Sequence, residues 1–207
     1  MPKRTRAGTL LTVAVAVAVA GSAVALAGPA TAAPQAPGFL SVTDLPPDRT
    51  SSWTAGEVTA GVPEGTDRDT CLRALSGHRP AWHRDFRTDL DTNARQITVV
   101  LRDTRSAKRL ASSLNKDVKS CAARIERQFP DTEAAGRDYG ELPVEEGAHV
   151  YGVHTETSWG AADVRLLSVG RDGRTVTVVN WAQLGGFEGV PVTAFKKTAT
   201  SSVRKLH

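Results

Sequence analysis

Between Thr104 and Phe129, apolar side chains recur at three- and four-residue steps: Ala107, Leu110, Ala111, Leu114, Val118, Cys121, Ala122, Ile125 and Phe129. This is the period of one helix face, and the lysines and arginines of the segment fall off it. Asp103 or Thr104 supplies an N-cap, and Pro130 stops the helix. A long helix with a single apolar stripe must lie on an apolar surface, so the rest of the chain has to provide one.

The remaining sequence supplies that surface as strands. Trp82–Leu90 alternates Trp82, Arg84, Phe86 and Thr88 against His83, Asp85 and Arg87. Asp91-Thr92-Asn93 is turn chemistry, and Gln96–Arg102 returns with Ile97, Val99 and Leu101 on one face. Three more strands are predicted over Glu146–Thr157, Asp163–Val169 and Arg174–Gln183, the last two joined by a tight turn at Arg171-Asp172-Gly173. The β-branched run Thr175–Val179 favours extended backbone. Gly185-Gly186 ends the sheet, and Pro191 opens a final helix with Val192, Phe195, Ala199, Val203 and Leu206 inward. Elsewhere the patterns predict a helical turn in Phe39–Asp48 stopped by Pro46-Pro47, a strand in Trp53–Val62 and a short helix in Thr66–Leu75. Asp131–Leu142, with Gly136 and Gly140, reads as a polar loop. Short links between strands mean antiparallel pairing. The fold class is therefore α+β: an antiparallel β-sheet packed against helices, in one domain with a cleft.

The N-terminus carries Lys3, Arg4 and Arg6, an apolar Ala/Val run to Ala27 and the triplet Ala30-Thr31-Ala32. This is the pattern of a secretory signal peptide over residues 1–33, followed by a flexible lead-in at 34–38 and a domain at 39–207. Without those three cations, the 26 basic residues fall to 23 against 22 acidic ones, a net of +1. A balance so close to zero argues against nucleic acid as a partner. The basic residues at the end, Lys196, Lys197, Arg204 and Lys205, read as a solvated helix face. No cysteine follows the apolar run to accept a lipid, so no stable membrane anchor is expected after cleavage. Export also favours a disulfide between Cys71 and Cys121 over a catalytic thiol beside a histidine. Closing that loop is worth about 4 kcal/mol on the chain-entropy account.

The chemistry-bearing residues are sparse. The histidines at 78, 83, 149, 154 and 207 form no His-Glu-x-x-His or Cys/His zinc spacing, and no metal or cofactor is expected. His149 and His154 have odd separation on one strand and so face opposite sides of the sheet. There is no Gly-x-Ser-x-Gly elbow; Ser158, His154 and Glu156 supply hydrolase residue types without a motif. Glu145 and Glu146 diverge in an extended chain, which does not suit a glycosidase pair. The candidate ligand-binding residues are Tyr151, His154, Trp159, Asn180, Trp181 and Gln183. Together they offer stacking surface and a few hydrogen bonds to a small amphiphilic or sugar-like ligand. The alternative is that Trp159 and Trp181 are ordinary packing.

The order of a leader, Phe39-Leu40-Ser41, Trp53, Cys71 and a long helix bearing Cys121 resembles the PknH-like extracellular sensor domains of actinobacteria. The closing runs Gly170–Val179 and Trp181–Gly185, and the helix around Ala194–Ala199, add to the resemblance. It implies an antiparallel sheet with helices and a central ligand cleft; together with the leader and the missing catalytic motif, this makes the expected protein secreted and non-catalytic. Receptor members carry two disulfides, whereas this chain can form one. They also carry a kinase, which this chain lacks, so the expected role is binding an unidentified small extracellular ligand. Two other readings are a small extracellular hydrolase of cell-wall or lipid substrates, with His154 or His149 as general base, and a secreted protein-binding or inhibitor module.

Overall fold

The computed structural model describes residues 35–66 and 68–207. The leader expected at 1–33 therefore lies outside the described residues. Eight strands form one antiparallel sheet: β1 (Thr54–Ala55), β2 (Thr59–Ala60), β3 (Ala81–Arg87), β4 (Asn93–Val100), β5 (Thr132–Leu142), β6 (Ala148–Thr157), β7 (Ala162–Asp172) and β8 (Thr175–Leu184). Three helices accompany them: α1 (Thr104–Lys119), α2 (Cys121–Gln128) and α3 (Val192–Arg204).

From one edge the strands run β5-β6-β7-β8-β4-β3, and β1 and β2 both pair with the outer side of β3. The chain leaves β4, crosses the sheet as α1 and α2, and fills it inward from the far edge until β8 pairs with β4. The predicted turn after β7 is a two-residue hairpin, Gly173-Arg174, with Gly173 at φ +52°.

Period-two alternation assigns the faces. Ile97, Val99, Tyr151, Val153, Leu167, Val169, Val176 and Val178 pack with Leu110, Leu114 and Val118 of α1 and with Ile125 of α2. On the other face Phe86, Ala94, Val150, Val164, Leu166, Val179 and Trp181 pack with Phe195 and Ala199 of α3 and with Leu40. Helix α3 lies so close to β7 that a Cβ on Gly170 would fall 2.3 Å from Val203 Cγ2. The α3 face also holds a buried polar seam: Gln96 Oε1 accepts from Leu40 N–H at 2.8 Å and Gln96 Nε2 donates to Thr177 Oγ1 at 3.1 Å.

Four expectations change. The helix expected over Thr104–Phe129 breaks at Ser120 (φ −101°, ψ 9°). There Ser120 Oγ donates back to Lys116 O at 2.7 Å, a bond that bends helices. The buried stripe survives the break, but Phe129 lies beyond α2 and is exposed. The polar loop expected at Asp131–Leu142 is instead the edge strand β5, paired along its length with β6. It reads as loop because charged and glycine residues suit a strand with one open edge, and a bulge between Asp138 and Gly140 interrupts its register. The strand expected over Trp53–Val62 reduces to the two-residue β1 and β2. The helix expected over Thr66–Leu75 reduces to turns and a 3-10 segment at Arg73–Leu75. The capped helical turn near the start is a 3-10 segment at Val42–Asp44. The disulfide joins Cys71 to Cys121, both buried, with Cα atoms 4.9 Å apart.

Candidate functional site

The six residues nominated from sequence do not line one concave face, because the sheet separates them. Tyr151 and Asn180 point to the α1 face. Tyr151 is buried, donates from its hydroxyl to Asn115 Oδ1 at 3.1 Å and stacks on His149 with ring centroids 4.3 Å apart. Asn180 Oδ1 accepts from Arg165 Nε at 3.1 Å, and Arg165 is itself paired with Asp69 at 2.8 Å. His154, Trp181 and Gln183 point to the α3 face. His154 lies beside Phe187, ring centroids 5.7 Å apart. Trp159 stands in the β6–β7 turn, 72% exposed. The expectation of a single site is corrected on this ground: residues an odd number apart along one strand face opposite layers, which divides Tyr151 from His154 on β6 and Asn180 from Trp181 and Gln183 on β8.

Two of the six, Trp181 and Gln183, do share a cavity of about 600 Å³. Its walls are the 46–53 loop, the β3–β4 turn, the end of β8 and the start of α3. Trp53, Leu90, Leu184 and Val190 supply apolar surface, and Leu90 and Leu184 are 64% and 62% exposed. Trp181 is 2% exposed and its Nε1 finds no partner among the described residues.

The rim is held by local hydrogen bonds. Asp48 Oδ1 accepts from Thr50 N–H and Ser51 N–H, both at 2.9 Å, and its Oδ2 accepts from Thr92 Oγ1 at 2.9 Å. The Thr50 amide, then the hydroxyls, hold the Asp48 carboxyl below its ordinary value despite an opposing effect of burial. Trp53 Nε1 donates to Pro46 O at 2.8 Å. Among the described residues, the Gln183 amide and the Arg49 guanidinium have no side-chain partner, so both are free to meet a ligand. Sequence reasoning missed Trp53, Asp48 and Arg49. The Asp-x-Thr-Ser turn at Asp48–Ser51 was a readable signal for a fixed loop.

His149 is engaged on both sides of its ring. His149 Nε2 lies 2.6 Å from Asp138 Oδ1 and its Nδ1 lies 3.8 Å from Glu141, so both ring nitrogens meet carboxylates. The His149 hydrogen bond holds the Asp138 carboxyl below its ordinary value. Burial, with Asp138 and Glu141 nearby, pushes the Tyr151 phenol up to about 12. Glu145, Asp172 and His207 place possible ligand atoms within 4.8 Å of one another at the surface, where His207 Nδ1 already pairs with Asp172 at 2.8 Å.

No family model and no curated protein matches this chain. Its structure is similar to the crystal structure of the extracellular domain of PknH from Mycobacterium tuberculosis. The two are 14% identical with a TM-score of 0.44, over 72% of this chain and 84% of that one. Among the described residues, no helix is long and apolar enough to cross a membrane.

Proposed function

We propose that this chain is a non-catalytic, extracellular ligand-binding domain whose site is the cavity beside Trp181. The observation that carries the reading is the cavity lined by Trp181 and Gln183, whose rim exposes Leu90 and Leu184. Exposed leucines around a concave site favour an occupant with an apolar face. Gln183 offers a donor and an acceptor, and Arg49 offers donors only. The combination fits a sugar-like or small amphiphilic ligand. The buried disulfide agrees with an oxidising compartment. Neither His149 nor His154 lines the cavity, which favours recognition over hydrolysis.

Butyl glucoside and cellobiose are the probes, followed by tryptophan fluorescence and by amide shifts at Thr50 and Gln183. The expected result is saturable change with at least one probe, weakened roughly tenfold in Gln183→Ala at unchanged melting temperature. Gln183→Ala binding as tightly as the parent, or shifts confined to other regions, would reject the site.

A further inference from the structure

The near-neutral sequence conceals an uneven distribution of charge. Between Thr104 and Gln128, seven basic residues face two acidic ones, and both helices lie on the same side of the sheet. One of the seven, Arg109, lines a second hollow, of about 600 Å³, between the 74–79 segment and α1. Arg79, Arg102 and Arg109 line it together with His78, Ser106 and Ser113, and Leu101 and Leu110 give it an apolar wall.

No carboxylate lines this hollow. At its rim Asp103 Oδ2 accepts from Arg102 Nε at 3.0 Å while Asp103 Oδ1 caps α1 through Ser106 N–H. Arg109 donates to Ser106 Oγ at 2.9 Å, and Arg79 has no ion-pair partner among the described residues. Asp117 Oδ2 fixes the opposite wall by accepting from Ala74 N–H at 2.9 Å. Arg102 shares its charge with Asp103, whereas Arg79 and Arg109 have no carboxylate partner among the described residues, and an anion placed among the three guanidiniums relieves the repulsion that remains.

We propose that this hollow binds an organic phosphate monoester. The dianion lies among Arg79, Arg102 and Arg109, and its carbon chain lies along Leu101 and Leu110. Guanidinium forks match phosphate oxygens in pairs, and three of them exceed what the two oxygens of a carboxylate can accept. The Ser106 and Ser113 hydroxyls add neutral donors. The site is on the α1 side, separate from the cavity beside Trp181, so either can fail without the other.

Hexyl phosphate titrated into the full domain tests the proposal, read by amide shifts at Ala74–Arg79 and Ser106–Ser113. Saturable shifts in these segments are expected, with hexanol and hexanoate each binding at least about tenfold more weakly. Arg79→Gln and Arg109→Gln should each lower affinity roughly tenfold at unchanged melting temperature. Arg127→Gln, which lies outside the hollow, should leave affinity unchanged. Equal binding of hexyl phosphate and hexanol, a loss in Arg127→Gln matching that in Arg109→Gln, or no shift in either segment overturns the assignment. Sedimentation with phosphatidic acid vesicles but not phosphatidylcholine vesicles assigns the phosphate to a lipid headgroup. Binding of hexyl phosphate without vesicle sedimentation assigns it to a soluble ester.

Discussion

Asp44 and Lys205 join the 3-10 turn at Val42–Asp44 to the end of α3, with Nζ 2.6 Å from Oδ2. The same carboxylate accepts from Ser41 N–H at 2.7 Å and from Ser41 Oγ at 2.6 Å. Burial pushes the Asp44 carboxyl up, but Lys205 and Ser41 together outweigh it and hold the group below its ordinary 3.8. A carboxylate with a lowered folded pKa contributes stability above its unfolded value, and that contribution is lost as pH falls through the folded value. Asp44→Asn is therefore expected to lower the melting temperature at pH 7. The parent and variant should converge below pH 3.8, in melts followed by circular dichroism.

Close approach at the same junction makes Gly38 sensitive to substitution. A Cβ there would fall 2.0 Å from the Lys205 carbonyl oxygen, a backbone atom that cannot rotate away. Gly38→Ala should cost about 1–3 kcal/mol in urea unfolding, through displacement of the N-terminal segment or of the end of α3.

The two tryptophans nominated together from sequence should behave oppositely. Trp181 is 2% exposed in the α3-face core, so Trp181→Ala should cost about 3–5 kcal/mol. Trp159 is 72% exposed in a turn, so Trp159→Ala should change stability by less than about 0.5 kcal/mol. Denaturant midpoints of the two variants check both.

Replacing Cys71 and Cys121 together by alanine should lower stability by about 2–4 kcal/mol. The disulfide fastens the irregular 62–75 segment to the start of α2, where few regular hydrogen bonds would otherwise hold it. Protease sensitivity in the double variant should therefore rise first between Val62 and Leu75, as read by mass spectrometry of the fragments.

Tyr151 should titrate late. Its phenol is pushed up to about 12 by burial and by the Asp138 and Glu141 carboxylates. A raised folded pKa leaves the contribution of the phenol intact below its unfolded 10.0 and removes it as pH rises toward 12. Absorbance at alkaline pH should show one phenol ionising near that value, absent in Tyr151→Phe. Stability of the variant should fall less steeply above pH 10.

Much of the architecture was legible because period alone assigns it. The alternation in Trp82–Thr88 places Phe86 in one layer and His83 in the other whatever the partner strand, and the stripe from Ala107 to Ile125 can form only one buried face. Asp131–Leu142 was not legible. A strand with one open edge needs neither alternation nor β-branched residues, and its identity comes from the ladder that β6 offers it. The break at Ser120 was hidden for a related reason, since the stripe continues across it.

By itself, the sequence determined the α+β class, the antiparallel hairpins, a helix capped at Asp103 or Thr104 and the pairing of its two cysteines, all set by local period or by having a single available partner. Only the tertiary structure decided which side chains meet. Strand order brings β8 beside β4 and puts Gln183 and Trp181 against a loop more than a hundred residues earlier, while the same sheet divides them from Tyr151 and Asn180. The physical reason is that a binding site depends on distances between elements remote in sequence, which packing sets and periodicity does not encode.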